Sequence, residues 1–241
     1  MRNFIIALIL IIIGQSLAYL QLQSQFFWTW AKNNTLLIFD ETITGFRYSL
    51  GGAQEFFGIT PDLATFGKGM ANGYPLSAVV GSIDIMQKFE DIFFSGTFGG
   101  ETISLAATSK IIDIYKDRGV IEHFSQIGSY LLKKLNQLFE SKNLQDIFWV
   151  SGHPSWSFLN IKKQVNYSPF EIKTFFLQEM FKQGILTLGA HNLCFSHTKK
   201  DIDRLIEVYD KVLPLIKQNI EDKTLLENIN GDILEPLFKV R

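Results

Sequence analysis

The sequence predicts an α/β protein, a mostly parallel sheet in its first half followed by a smaller α+β unit. Two observations carry this. The short apolar runs TLLIF (35–39), LATF (63–66) and SAVVG (77–81) are bounded by turn residues, as buried strands are, and helical periodicity resumes from Thr102 to Lys116. Beyond Gly119 the texture changes to long amphipathic helices interleaved with short strand candidates.

In chain order, Phe4 to Ile13 is an unbroken apolar run after Arg2, and Ser16-Leu17-Ala18 has the small-x-small form of a cleavage site. That is a signal-peptide pattern, too short for a transmembrane span. Tyr19 to Asn34 reads as a helix delivering the chain into TLLIF, a strand expected to be buried on both faces. LATF runs into a glycine-flanked lysine, and SAVVG follows the Gly73-Tyr74-Pro75 turn. Ile103, Ala106, Ala107, Ile111 and Ile114 recur at three- and four-residue steps, giving the next helix. A long helix to about Lys142 follows, then strand candidates IFWVS (147–151) and WSFLNI (156–161). Helical patterns at 170–183 and 199–218 are separated by ILTLG (185–189), and the tail from Glu221 ends in an apolar LEPLF segment. The predicted divisions are 1–18, an apolar N-terminal segment; 19–119, the first α/β part; and 120–241, the small domain.

Composition narrows the function. With 46% apolar and 20% charged residues, 241 residues can bury one sizeable core plus a small appendage. The 23 basic and 24 acidic residues give a net charge of −1 without like-charge blocks, so nucleic acid and anionic membrane are not expected partners. A small molecule is the expected ligand. The single cysteine, Cys194, excludes an internal disulfide and suits a reducing compartment. His191, Cys194 and His197 fall within seven residues, but no second cluster completes a metal shell, so no metal is expected.

Three segments carry chemistry. Asp40 ends a buried strand, at the edge where α/β folds place ligands; strand alternation puts Asp40 and Thr42 on one side and Glu41 on the other. A helix or turn cap is the competing role for Asp40. In FGKGMANGYP (66–75), Lys68 stands between two glycines that let backbone approach a ligand. An apolar setting would lower its pKa towards a nucleophilic amine able to form a Schiff base; a structural pair with a carboxylate is the alternative. SGTFGG (95–100) is a glycine-rich turn ahead of a helix, a form that aims N–H groups at phosphate when it does more than turn.

Together these residues resemble the class III aminotransferases that depend on pyridoxal 5′-phosphate, most closely the glutamate-1-semialdehyde 2,1-aminomutase branch. LLIFDETITGFR (36–47), PDLATFGKGMANGYPLSAVVG (61–81) and GTFGGETISLAA (96–107) carry the likeness, with the family's 28-residue interval from Asp40 to Lys68. It continues through FLQEMFKQGILTLGAHNLCFSHT (176–198) and DIDRLIEVYDKVL (201–213). The resemblance implies a fold-type I transferase with a partial large-domain parallel sheet. By it, Lys68 would hold the cofactor as an internal aldimine and shuttle a proton, while Asp40 would keep the pyridine nitrogen protonated. Thr42 would lie against one ring face, where relatives often carry valine. Gly96 and Thr97 would bind phosphate in the neighbouring subunit of a homodimer. Arg47 would meet a substrate carboxylate, or else form a structural ion pair. The substrate would be an amino acid or amino aldehyde, and aminomutase and transaminase share all three segments.

The resemblance also implies that the family's N-terminal half is lacking, with its second phosphate-binding loop and ring-stacking aromatic. Truncation within a cytoplasmic enzyme is favoured over secretion or tethering through residues 1–18, and weak cofactor retention is expected from it. The alternative is a catalytically inactive fragment serving as a dimerisation or membrane-tethered module.

Overall fold

The computed structural model describes residues 6–9, as backbone, and 36–235. The helix expected from Tyr19 to Asn34 lies outside these residues, as do most of segment 1–18 and the last residues of the LEPLF tail. The chain divides into two compact units, residues 1–124 and 125–241.

The first unit holds a four-stranded sheet in the order β1 (Ile6–Ile9), β2 (Leu36–Asp40), β3 (Leu63–Phe66), β4 (Ala78–Gly81). β1 and β3 run parallel to β2, whereas β4 is antiparallel to β3. Part of the apolar N-terminal run thus pairs alongside Leu36–Phe39. The β2–β3 register is fixed at its start by Asp62, whose Oδ2 accepts from Leu37 N at 2.8 Å while its own N–H donates to Leu37 O at 2.9 Å. Phe39 and Ala64 are buried in neighbouring strands; Leu36 to Ile38 are half-buried, less than the sequence predicts.

A short helix α1 (Gly52–Phe57) joins β2 to β3. Helix α2 (Thr102–Asp117) starts where Glu101 accepts from the Ile103 and Ser104 N–H groups at 2.8 and 2.7 Å, satisfying two orphan donors. Its expected apolar stripe is only partly covered among the described residues, Ile103 being 62% exposed.

Helix α3 (Val120–Ser141) contains the unit boundary. The second unit has a three-stranded antiparallel sheet of β5 (Phe148–His153), β6 (Trp156–Ile161) and β7 (Ala190–Asn192). Its other helices are α4 (Pro169–Lys182) and α5 (Lys199–Glu221). Ser168, Pro169 and Glu171 form a capping box with proline in the first turn, which sets the α4 start. Leu131, Leu135, Ile172, Phe176, Met180, Tyr209, Leu213 and Ile216 close one core against Phe148, at the helical spacings that the sequence shows. Ring stacking of Phe139 and Phe148, with centroids 6.4 Å apart, ties α3 to the sheet.

Candidate active site

β2 and β3 lie side by side, with Asp40 opposite Thr65 at the C-terminal end of their ladder. Asp40 is half-buried there, and its Oδ1 accepts from Thr42 N at 3.0 Å and from Thr65 Oγ1 at 3.2 Å. Its carboxyl is held below the usual aspartate value. The Thr42 side chain contributes most, followed by the Thr42 N–H, the Thr65 hydroxyl and the Lys68 ammonium, against a partial desolvation that opposes them.

Alternation turns Glu41 the other way. It is 1% exposed, and its carboxylate accepts from Thr44 Oγ1 at 2.5 Å and from the Ala53 and Gln54 N–H groups at 2.8 Å each. Gly52 lies beneath it with φ +84°, and a Cβ there would meet the carboxylate at 2.8 Å. Glu41 therefore fixes the loop after β2, and with it the turn that carries Thr42.

Lys68 stands two residues beyond β3, opening a 3₁₀ turn (Lys68–Met70). Its φ of 43° is left-handed, unusual for a side chain with a Cβ; Met70 N donates to Gly67 O at 3.0 Å and Asn72 N to Lys68 O at 2.9 Å, which hold the turn. The apolar setting expected around Lys68 is not formed by the described residues: the side chain is exposed. Gly67 separates it from Thr42, and a Cβ built on Gly67 would sit 3.4 Å from Thr42 Cγ2.

Asp40, Thr42, Thr65 and Lys68 are thus brought to one end of the sheet. Gly96 and Thr97 lie in an exposed stretch, 91–100, where a Cβ on Gly96 would meet nothing within 4 Å. Arg47 extends towards α2 and α3: its guanidinium carbon is 5.4 Å from the Phe124 ring centroid, and its charge acts on Tyr115. Sequence reasoning missed Thr65 and Glu41, whose roles depend on strand register and on the loop closing back over twelve residues. Among the described residues no three metal-ligating side chains are grouped, and His191 is engaged by Ser157 and Tyr209.

The sequence profile described as Aminotransferase class-III matches residues 25–213. The chain belongs to the class-III aminotransferase family. Among curated members it is 32% identical over 186 residues to 3-aminobutyryl-CoA aminotransferase of Cloacimonas acidaminovorans (strain Evry), covering 76% of this chain and 44% of that protein. It is 36% identical over 191 residues to glutamate-1-semialdehyde 2,1-aminomutase of Methanothrix thermoacetophila, covering 74% and 44%. The chain spans about half the length of the curated relatives it matches. Among solved structures, the Sphingopyxis sp. MTA144 FumI protein in its PLP internal aldimine form superposes with a TM-score of 0.75 at 25% identity, over 86% of this chain and 50% of that one. An (S)-enantioselective omega-transaminase from Thermomicrobium roseum gives 0.70 at 25% identity, over 80% and 46%.

This class-III aminotransferase chain accordingly has the fold-type I architecture that the sequence predicts. The alternative of a non-catalytic dimerisation or tethering module draws no support from these matches. Among the described residues, no helix is long and apolar enough to cross a membrane.

Proposed function

We propose that this chain performs pyridoxal 5′-phosphate-dependent amino-group transfer, as an aminotransferase or aminomutase acting on a small amino acid or amino aldehyde. The observation that supports it most is that Asp40 ends one strand and Lys68 follows the adjacent parallel strand, so that the Lys68 charge acts on Asp40 at one end of the sheet. The residues fit the cofactor in their chemistry: a carboxylate for a ring nitrogen, an amine for an aldehyde carbon, and the Thr42 methyl, packed over Gly67, for a ring face.

Bound there, pyridoxal phosphate would supply an electron sink for negative charge on the carbon next to a substrate amine. Asp40, a carboxylate at neutral pH and held further in that form by its donors, would hold a proton on the ring nitrogen. The Lys68 amine would secure the cofactor covalently and, once displaced by substrate, carry the proton at the substrate α-carbon. Thr42 would contact one ring face. Gly96 and Thr97 would offer N–H and hydroxyl donors to a phosphate in a neighbouring copy of a homodimer, a role that suits their exposure. For Arg47 we favour packing against Phe124 over a substrate contact.

In this reading residues 19–119 carry the cofactor-binding part and 120–241 the small domain. The cytoplasm, where free cofactor and amino acids meet, is the proposed compartment.

The test is amino-group transfer with added cofactor and a panel of amino donors, comparing the chain with Asp40→Ala. A keto product marks transamination, and an isomerised amino compound marks the mutase. The variant should keep its covalently held cofactor yet lose transfer by about 100-fold or more. Equal transfer by both proteins would refute the assignment.

A further inference from the structure

The two oxygens of Asp40 are not equivalent. Two donors from separate segments reach Oδ1, Thr42 N from its own turn at 3.0 Å and Thr65 Oγ1 from the neighbouring strand at 3.2 Å. Neither of these two reaches Oδ2, and the Thr42 hydroxyl adds a further hydrogen bond to the carboxylate from the same turn. A carboxylate rotates freely enough that one donor alone leaves its two oxygens exchangeable, whereas donors from two separate chain segments pin one oxygen and turn the other outward.

We propose that Thr65 is a positioning residue, whose hydroxyl fixes Asp40 Oδ1 so that Oδ2 faces the protonated ring nitrogen of a bound pyridine cofactor. This rests on the reading of Asp40 given above. The register places Thr65 directly opposite Asp40, so both side chains emerge on the same side of the sheet at its C-terminal edge. The β-branched side chain of Thr65 has restricted χ1 freedom, which makes its hydroxyl a fixed donor. At 3.2 Å the bond is long for a hydroxyl donor, so its work is orientation more than strength. It also favours the charged form of Asp40, the form needed to hold a ring proton.

Thr65→Val keeps the shape and removes the donor; Thr65→Ser keeps the donor. The first readout needs no cofactor: carbon-13 NMR titration of the Asp40 carboxyl in the full chain. Thr65→Val should raise its pKa and Thr65→Ser should restore it. The second is pyridoxal phosphate affinity at neutral pH, expected to weaken roughly fivefold in Thr65→Val and to return with serine. The weakening should grow as pH falls and Asp40 takes up its proton. An Asp40 titration unmoved by Thr65→Val would overturn the proposal whatever the affinity does. If the parent chain itself took up no cofactor, the functional reading would fail, and the titration would still decide whether Thr65 governs Asp40.

Discussion

Gly67 lies directly beneath Thr42: a Cβ on the glycine would stand 3.4 Å from Thr42 Cγ2 and 3.9 Å from Ser77 Cβ. Both are ordinary contact distances, and the extended backbone at Gly67, φ −170°, is open to any residue. Gly67→Ala is therefore compatible with the fold, and the loss of unfolded-state freedom should leave stability unchanged or about 0.5 kcal/mol higher. The added methyl would lie against the Thr42 methyl and crowd the residue proposed to contact the ring face. Thermal unfolding should be preserved while equilibrium dialysis shows weaker uptake of pyridoxal phosphate; unchanged uptake would mean that the cofactor does not use this face.

Lys68 gives an inverted glycine effect. With φ at 43°, a Cβ at this position costs about 1 kcal/mol that glycine does not. Lys68→Gly should be more stable than Lys68→Ala by that amount in urea unfolding, the reverse of the usual order. Alanine proving the more stable would show that the turn relaxes to an ordinary right-handed conformation.

Glu41 is a structural acid next to Asp40. Removing its side chain in Glu41→Ala orphans the Ala53 and Gln54 N–H groups and the Thr44 hydroxyl, and the loss should exceed about 3 kcal/mol. Glu41→Gln, which retains an acceptor, should lose less. Chemical denaturation of the two variants checks the order, and equal losses would contradict the claim that accepted hydrogen bonds are the main contribution of Glu41.

In the second unit, His191 is 5% exposed, with Nδ1 2.9 Å from Ser157 Oγ and Nε2 2.8 Å from Tyr209 OH. Burial pushes its pKa down to about 4 from 6.5. The unfolded chain binds this proton first as pH falls, so the contribution of His191 is complete above about 6.5 and is lost on the way to 4, about 3 kcal/mol in all. Denaturant unfolding across that range should show this slope and a shallower one in His191→Gln. Parallel slopes would show that other groups set the acid sensitivity.

The legible parts of the fold were those written in local pattern. The LLIF, LATF and WSFLNI runs became strands, and the stripes Leu131, Leu135, Leu138 and Ile172, Phe176, Met180 faced the core, because period and burial coincide in them. The β7 strand was hidden: three residues with a central histidine carry no alternation, and what holds them is pairing to Trp156–Phe158. The antiparallel direction of β4 was equally silent, since a short apolar run reads the same either way, and its two half-buried and two exposed residues are less covered than such a run suggests. At the site, Asp40 and Lys68 could be singled out from spacing and neighbours. Thr65 could not, because its partnership exists only through the β2–β3 register, and the exposure of Lys68 depends on what surrounds it in space.

The central claim is that the Lys68 amine, at the same end of the sheet as the Asp40 carboxylate, holds pyridoxal phosphate. Mixing the chain with the cofactor, reducing with borohydride and mapping the modified peptide by mass spectrometry tests it most directly. The account predicts one phosphopyridoxyl group, on the peptide bearing Lys68, and its absence in Lys68→Ala. Label spread over other lysines, or undiminished in Lys68→Ala, would contradict it.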